Sequence, residues 1–136
     1  INRVHCYCDR LFVQELDSPV MISTLLLWAS RIEGDIDRLV RRLVDVESLE
    51  LASPDMDPLA VVRGLPQTVK QLVLRTNQEV TKAFVDQLAS CQPLRMLQID
   101  APRADRIERQ LKALMPNCDV RISLNGFRGQ TSFAES

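Results

Sequence analysis

The segment VESLELAS carries its apolar residues Val46, Leu49 and Leu51 three and then two positions apart. Neither the three-and-four spacing of a helix face nor the strict alternation of a strand produces that pattern. It returns at VKQLVLRTN (69–77) and LRMLQIDAP (94–102), and upstream at ISTLLLWAS (22–30) and INRVHCYCD (1–9). A partial copy, NCDVRISLN (117–125), keeps Val120 and Ile122 but opens on Asn117. The copies start at 1, 22, 46, 69, 94 and 117, so successive starts lie 21, 24, 23, 25 and 23 residues apart. Scattered apolar residues do not hold such a period, whereas a repeated structural unit does.

A helix-like stretch follows each of the first five copies. DRLFVQELDSPV follows the first, and RIEGDIDRLVRRLVD follows the second, with Ile32, Ile36, Leu39, Val40 and Leu43 at helical spacing. DPLAVVRGLPQT is short, and its Pro58 suits a first helical turn. NQEVTKAFVDQLASCQP places Val80, Phe84, Val85 and Leu88 on one face, and RADRIERQLKALMPN does the same with Ile107, Leu111 and Leu114. Pro66, Pro93 and Pro116 stand where the last three helices must stop. Strands alternating with helices call for a parallel sheet.

The V/L-x-x-L-x-L copies, with this period and these intervening helices, resemble the leucine-rich repeat family. The family prefers Asn or Cys at the ninth position of the unit. Asn77 and Asn125 match, while Asp9, Ser30, Pro54 and Pro102 depart, so the units are irregular. The resemblance implies an α/β right-handed solenoid over residues 1–125, with a parallel sheet on the concave face and helices on the convex face. Strands are expected near 3–7, 24–28, 48–52, 71–75, 96–100 and 119–123. A stacked array buries one continuous core and needs polar caps at its ends. The first unit begins without a capping helix, so more chain before residue 1, or a partner, is expected to cover that edge. Residues 126–136 are expected to fray or to form an irregular cap.

Composition narrows the function. The 136 residues carry a net charge of −1, which offers no global attraction to nucleic acid or to an anionic membrane. The longest apolar run, TLLLWA, is far too short to span a bilayer. The four cysteines are Cys6, Cys8, Cys91 and Cys118; HCYCD has one residue between its pair, where zinc sites usually have two to four. Free thiols and an intracellular setting, cytoplasmic or nuclear, are the expectation. There is one histidine, the four glycines are scattered, and no nucleophile elbow or zinc-spaced pair is present, so neither enzymatic activity nor a cofactor or metal is implied. RIEGDID reads as a helix start rather than a calcium loop, and Arg38, Arg41 and Arg42 as a solvated helix face.

Recognition is the more promising use. If the first, fourth and sixth positions point into the core, the third, fifth and seventh point out of the sheet. The third column then reads Arg3, Thr24, Ser48, Gln71, Met96, Asp119. The fifth reads His5, Leu26, Glu50, Val73, Gln98, Arg121. The seventh reads Tyr7, Trp28, Ala52, Arg75, Asp100, Ser123. The only Trp and the only Tyr fall side by side, about 4.8 Å apart on neighbouring strands. Tyr7, Leu26 and Trp28, flanked by His5, are the candidate anchor for a protein partner, with Arg75 and Arg121 as polar rim. The competing reading turns Trp28 into the core and makes Arg75 and Asp100 a cross-strand ion pair. The expected function is a protein-interaction module. Alternatives are the substrate-receptor part of an F-box-type ubiquitin ligase, which LKALMPNCDVRIS resembles loosely, or an RNA-binding or GTPase-regulating repeat domain.

Overall fold

The structure is a computed structural model, in which residues 3–12, 19–90 and 94–126 are described. Six strands form one open parallel sheet in the order β1 (Arg3–Phe12), β3 (Thr24–Glu33), β5 (Ser48–Ala52), β6 (Gln71–Arg75), β7 (Met96–Asp100) and β8 (Asp119–Ser123). Between them lie four helices, α1 (Ile36–Arg42), α2 (Pro58–Arg63), α3 (Lys82–Leu88) and α4 (Asp105–Leu114). Two short strands, β2 (Val20–Met21) and β4 (Leu43–Val44), pair in a separate parallel sheet. Each helix packs on the next in chain order.

The pairing register follows the repeat. Leu25, Leu49, Leu72, Leu97 and Val120 lie side by side across the sheet, as do Leu27, Leu51, Leu74, Ile99 and Ile122. Six of these, Leu49, Leu51, Leu72, Leu74, Leu97 and Ile99, are at most 1% exposed. They form one core with Ile36, Leu39, Val40, Val61, Val62, Phe84, Val85, Leu88, Ile107 and Leu111 from the helices. A 3.6-residue period on the helices and a two-residue period on the strands thus meet in a single aliphatic layer. Leucine suits this layer because it fills space between a sheet and a row of helices without a polar atom to satisfy.

The backbone repeats as faithfully as the side chains. The carbonyls of Ser23, Glu47 and Lys70 each accept two successive amides from the entrance of the next strand, at 2.8–3.1 Å. At the exits, the amides of Ser53, Thr76 and Ala101 donate to the carbonyls of Arg75, Asp100 and Ser123, each at 3.0 Å. The inward position at these exits holds only small side chains: Ala29, Ser53, Thr76 and Ala101 are all buried. In the turn after β6, Thr76 is a polar anchor. Its hydroxyl donates to the Met56 carbonyl at 2.6 Å and accepts the Gln78 amide at 3.1 Å, tying one turn to the previous one. Asn77 is exposed.

The four strands β5 to β8 have the bounds expected from the repeat, but β1 and β3 run on to Phe12 and Glu33. Several helix expectations change accordingly. Asp9–Phe12 continues β1 instead of opening a helix, and residues 13–18 of that stretch lie outside the described residues. Ile32 is in β3, not in a helix, because Gly34, at φ 107, breaks the chain before Ile36. Leu43 is buried as expected, but from β4. Leu114 points to solvent, 52% exposed, because α4 ends there and Met115 turns inward in its place. Pro58 does occupy the first turn of α2, behind Asp57, whose carboxylate accepts the Leu59 amide at 3.1 Å. Pro93, Cys91 and the tail from 127 onward lie outside the described residues.

Candidate functional site

The helices cover one face of the sheet; the other face is open, and strand alternation sends the third, fifth and seventh columns onto it. Tyr7 is opposite Trp28, Trp28 opposite Ala52, Ala52 opposite Arg75, and Arg75 opposite Asp100. The two rings meet with centroids 6.2 Å apart and planes at 60°, a tilted arrangement that aromatic pairs favour. Tyr7 is the outer member, 54% exposed, and Trp28 is half-buried.

The seventh column is more than a row of outward side chains. Ala52 stands between Trp28 and Arg75, and its small side chain lets the guanidinium reach across a whole strand to lie 5.3 Å from the Trp28 ring. The same closure explains why Ala52, expected at the open surface, is only 2% exposed. Glu50, two residues before Ala52 and on the same face, is the diagonal neighbour of both. Its carboxylate accepts the Trp28 indole N–H at 2.7 Å and lies 3.7 Å from the Arg75 Nε. The far side of Arg75 donates from Nη1 to Asp100 at 3.1 Å.

Asp100 departs most from its expected place at the surface. It is 4% exposed, because besides Arg75 it accepts the Gly126 amide at 2.6 Å, and the chain after β8 folds over it. Gly126 adopts φ +70, and a Cβ there would meet the Asn77 Oδ1 and the Thr76 carbonyl. A continuous row therefore runs from Tyr7 through Trp28, Glu50, Arg75 and Asp100 to Gly126. Of the two readings of Arg75, the ion pair with Asp100 is the one observed. Trp28 belongs neither to the core nor wholly to solvent: its edge is held by Glu50 and its faces are flanked by Tyr7 and Arg75.

The remaining candidates divide. His5 and Leu26 sit opposite each other beside the aromatic pair, His5 exposed and Leu26 half-buried. Val73 and Met96, half-buried, extend the apolar part of the face. Arg121 is on β8, five strand spacings from β1, or about 24 Å. Its guanidinium turns along its own strand to Asp119, at 2.9 Å. It is thus not brought together with the aromatic cluster. Glu50 and Gly126 are the members that the sequence did not single out. Glu50 was legible as an outward residue, but its diagonal reach to Trp28 depends on side-chain conformation. Gly126 bonds through its backbone, which leaves no signal in a pattern of side chains.

Elsewhere, Asp35, Asp37, Asp55 and Asp57 line a hollow of about 190 Å³ with Ile32 and Met56 between the ends of β3 and β5 and the start of α1. Among the described residues no three His, Cys, Asp or Glu side chains are grouped as a metal ion would need. Cys6, Cys8 and Cys118 are free thiols. Burial raises the Cys8 thiol pKa, with the neighbouring Cys6 and Asp9 adding to the shift; burial and Asp119 raise that of Cys118. No described helix is long and apolar enough to cross a membrane. Compared with family models, characterised proteins and solved structures, the chain matches none.

Proposed function

We propose that this chain is a right-handed leucine-rich-repeat solenoid whose open sheet is the concave face, and that it works by presenting this face to a protein partner. The handedness rests on the strong preference of parallel strand–helix–strand connections for the right-handed crossover. The observation that carries the function is the Tyr7–Trp28 pair. Two large rigid rings stand on the open face, with Leu26 beside them, and one of the rings is fixed in place by Glu50 and Arg75. A preorganised aromatic anchor loses little conformational freedom on binding, which is why such residues dominate interface energetics.

The test is a comparison of captured proteins. Immobilised wild-type chain is set against Tyr7→Ala and Leu114→Ala, two exposed apolar residues on opposite sides of the molecule. The expected result is a partner retained by wild type and Leu114→Ala and lost by Tyr7→Ala. With that partner purified, Trp28→Ala weakens binding by about 2 kcal/mol or more. A partner lost by Leu114→Ala and kept by Tyr7→Ala assigns binding to the helical side and overturns the reading.

A further inference from the structure

Cys6 and Cys8 stand two residues apart on β1, so strand alternation turns both thiols to the same, helix-covered side of the sheet, where they pack against the core. Their neighbours across the pairing with β3 are Leu27 and Ala29, both buried. The thiols are in contact, with Cys8 donating a hydrogen bond to the Cys6 sulfur. Neither is in a disulfide. The extended backbone accounts for that. Two residues of strand advance about 6.4–6.8 Å, whereas the β-carbons of a disulfide lie about 3.5–4.5 Å apart. The side chains can lean together far enough to share a proton, but a direct S–S bond would need β1 to shorten and leave its register with β3. These contacts lie within β1 and between β1 and β3, and they hold whatever adjoins the far edge of β1.

We propose that Cys6 and Cys8 form a two-sulfur site for a soft monovalent metal ion, copper(I) above all. Thiolates are soft donors and select copper(I), zinc or iron–sulfur clusters. Zinc and the clusters call for four protein ligands. Among the described residues no third Cys, His, Asp or Glu joins the pair, and alternation sends His5 to the other face. Copper(I), with its filled d shell, is satisfied by two sulfurs in a line. An ion set between the sulfurs spans a gap that a single S–S bond cannot, so β1 keeps its register. The apolar walls, Val4, Leu27 and Ala29, offer hard, strongly hydrated cations nothing to replace their water. Charge points the same way. Burial, the Cys6 thiolate, the hydrogen bond to Cys6 and the Asp9 carboxylate all hold the proton on Cys8, and a bound cation offsets both negative neighbours. On binding, the two thiols release their protons to water and two copper–sulfur bonds form. No electron moves, and two thiolates around one monocation leave the site singly negative.

Copper(I), supplied under argon as its acetonitrile complex, is titrated into the chain against bicinchoninate, whose coloured copper complex reports the metal left over. Wild type is expected to withdraw one copper(I) per chain and to gain ultraviolet absorption from sulfur-to-copper charge transfer. The double variant Cys91→Ser/Cys118→Ser behaves as wild type. Cys6→Ser and Cys8→Ser each weaken binding by about a hundredfold or more, the gain that a second tethered donor supplies. Cys6→Ala and Cys8→Ala, which put no new polar atom against the core, give the same loss, and circular dichroism shows which variants are folded. X-ray absorption at the copper edge shows two sulfurs and no further ligand. Copper held undiminished by the folded Cys6 and Cys8 variants, binding lost in Cys91→Ser/Cys118→Ser, a shell of three sulfurs, or a wild-type chain that takes no copper from bicinchoninate overturns the proposal.

Discussion

Replacing Asp100 by alanine strikes the row of open-face contacts at its most buried point. The wild-type carboxylate accepts Nη1 of Arg75 at 3.1 Å and the Gly126 amide at 2.6 Å, with its side chain only 6% exposed. Hydrogen bonds to a charged group contribute about 1.5–3 kcal/mol each. The pair is not fully isolated, because Arg75 is 27% exposed and keeps Glu50 at 3.7 Å as a second partner. Its share is therefore discounted to the surface range of about 0.5–1 kcal/mol. The Gly126 amide, by contrast, loses its acceptor and remains buried. The sum is about 2–4 kcal/mol, or a drop in Tm of about 6–14 °C for a domain of this size. Urea and thermal melts followed through the sole tryptophan, Trp28, measure it. A double-mutant cycle with Arg75→Met isolates the ion pair, with an expected coupling of about 0.5–1 kcal/mol. If Asp100→Ala melted within about 2 °C of wild type, the carboxylate would not hold the turn at Gly126 and the row would end at Arg75.

Leu72→Ala, at a wholly buried site, should cost about 2–5 kcal/mol in denaturant unfolding; a loss under about 0.5 kcal/mol would mean the strand register is wrong. Gly126→Ala should destabilise by about 1–2 kcal/mol, since φ +70 disfavours a side chain and the Cβ has no room against Asn77 and Thr76; an unchanged melt would show that the turn relaxes freely. Thiol titration of the denatured protein without reductant should find all four cysteines reduced, and two or fewer would contradict that. In the folded state Cys8 and Cys118 should react more slowly than model thiols, because their raised pKa values reduce the thiolate fraction. What those protonated thiols contribute to stability is intact below the ordinary pKa of 9.0 and is lost as pH climbs through the raised values. Melts on either side of pH 9 check the sign.

The strands were legible because their information is periodic and redundant: each inward leucine is opposed by an equivalent one on the next strand, so a single register satisfies all of them. Boundaries failed where one local residue overrode the period. The extension of β3 through Ile32 obeys a strand pattern that coincides with helical spacing over a few residues, and only the positive φ of Gly34 decides between them. Leu114 and Met115 exchanged places because helix ends depend on the last turn's hydrogen bonds, here the Met115 amide donating to the Leu111 carbonyl at 2.9 Å. On the open face, column membership located Tyr7, Trp28, Arg75 and Asp100. Burial there did not follow from alternation. A small residue at 52 and a backbone amide at 126 covered positions that a one-strand pattern places in water.

The measurement closest to the central claim is hydroxyl-radical footprinting of the chain alone and with the partner captured through Tyr7. The open-face assignment predicts that oxidation of Tyr7, Trp28 and Met96 falls together when the partner binds. Leu114, exposed on the helical side, and Met21, exposed on β2, should keep their rates. Protection of Leu114 or Met21 with Tyr7 and Trp28 unchanged would place the interface elsewhere and contradict the account.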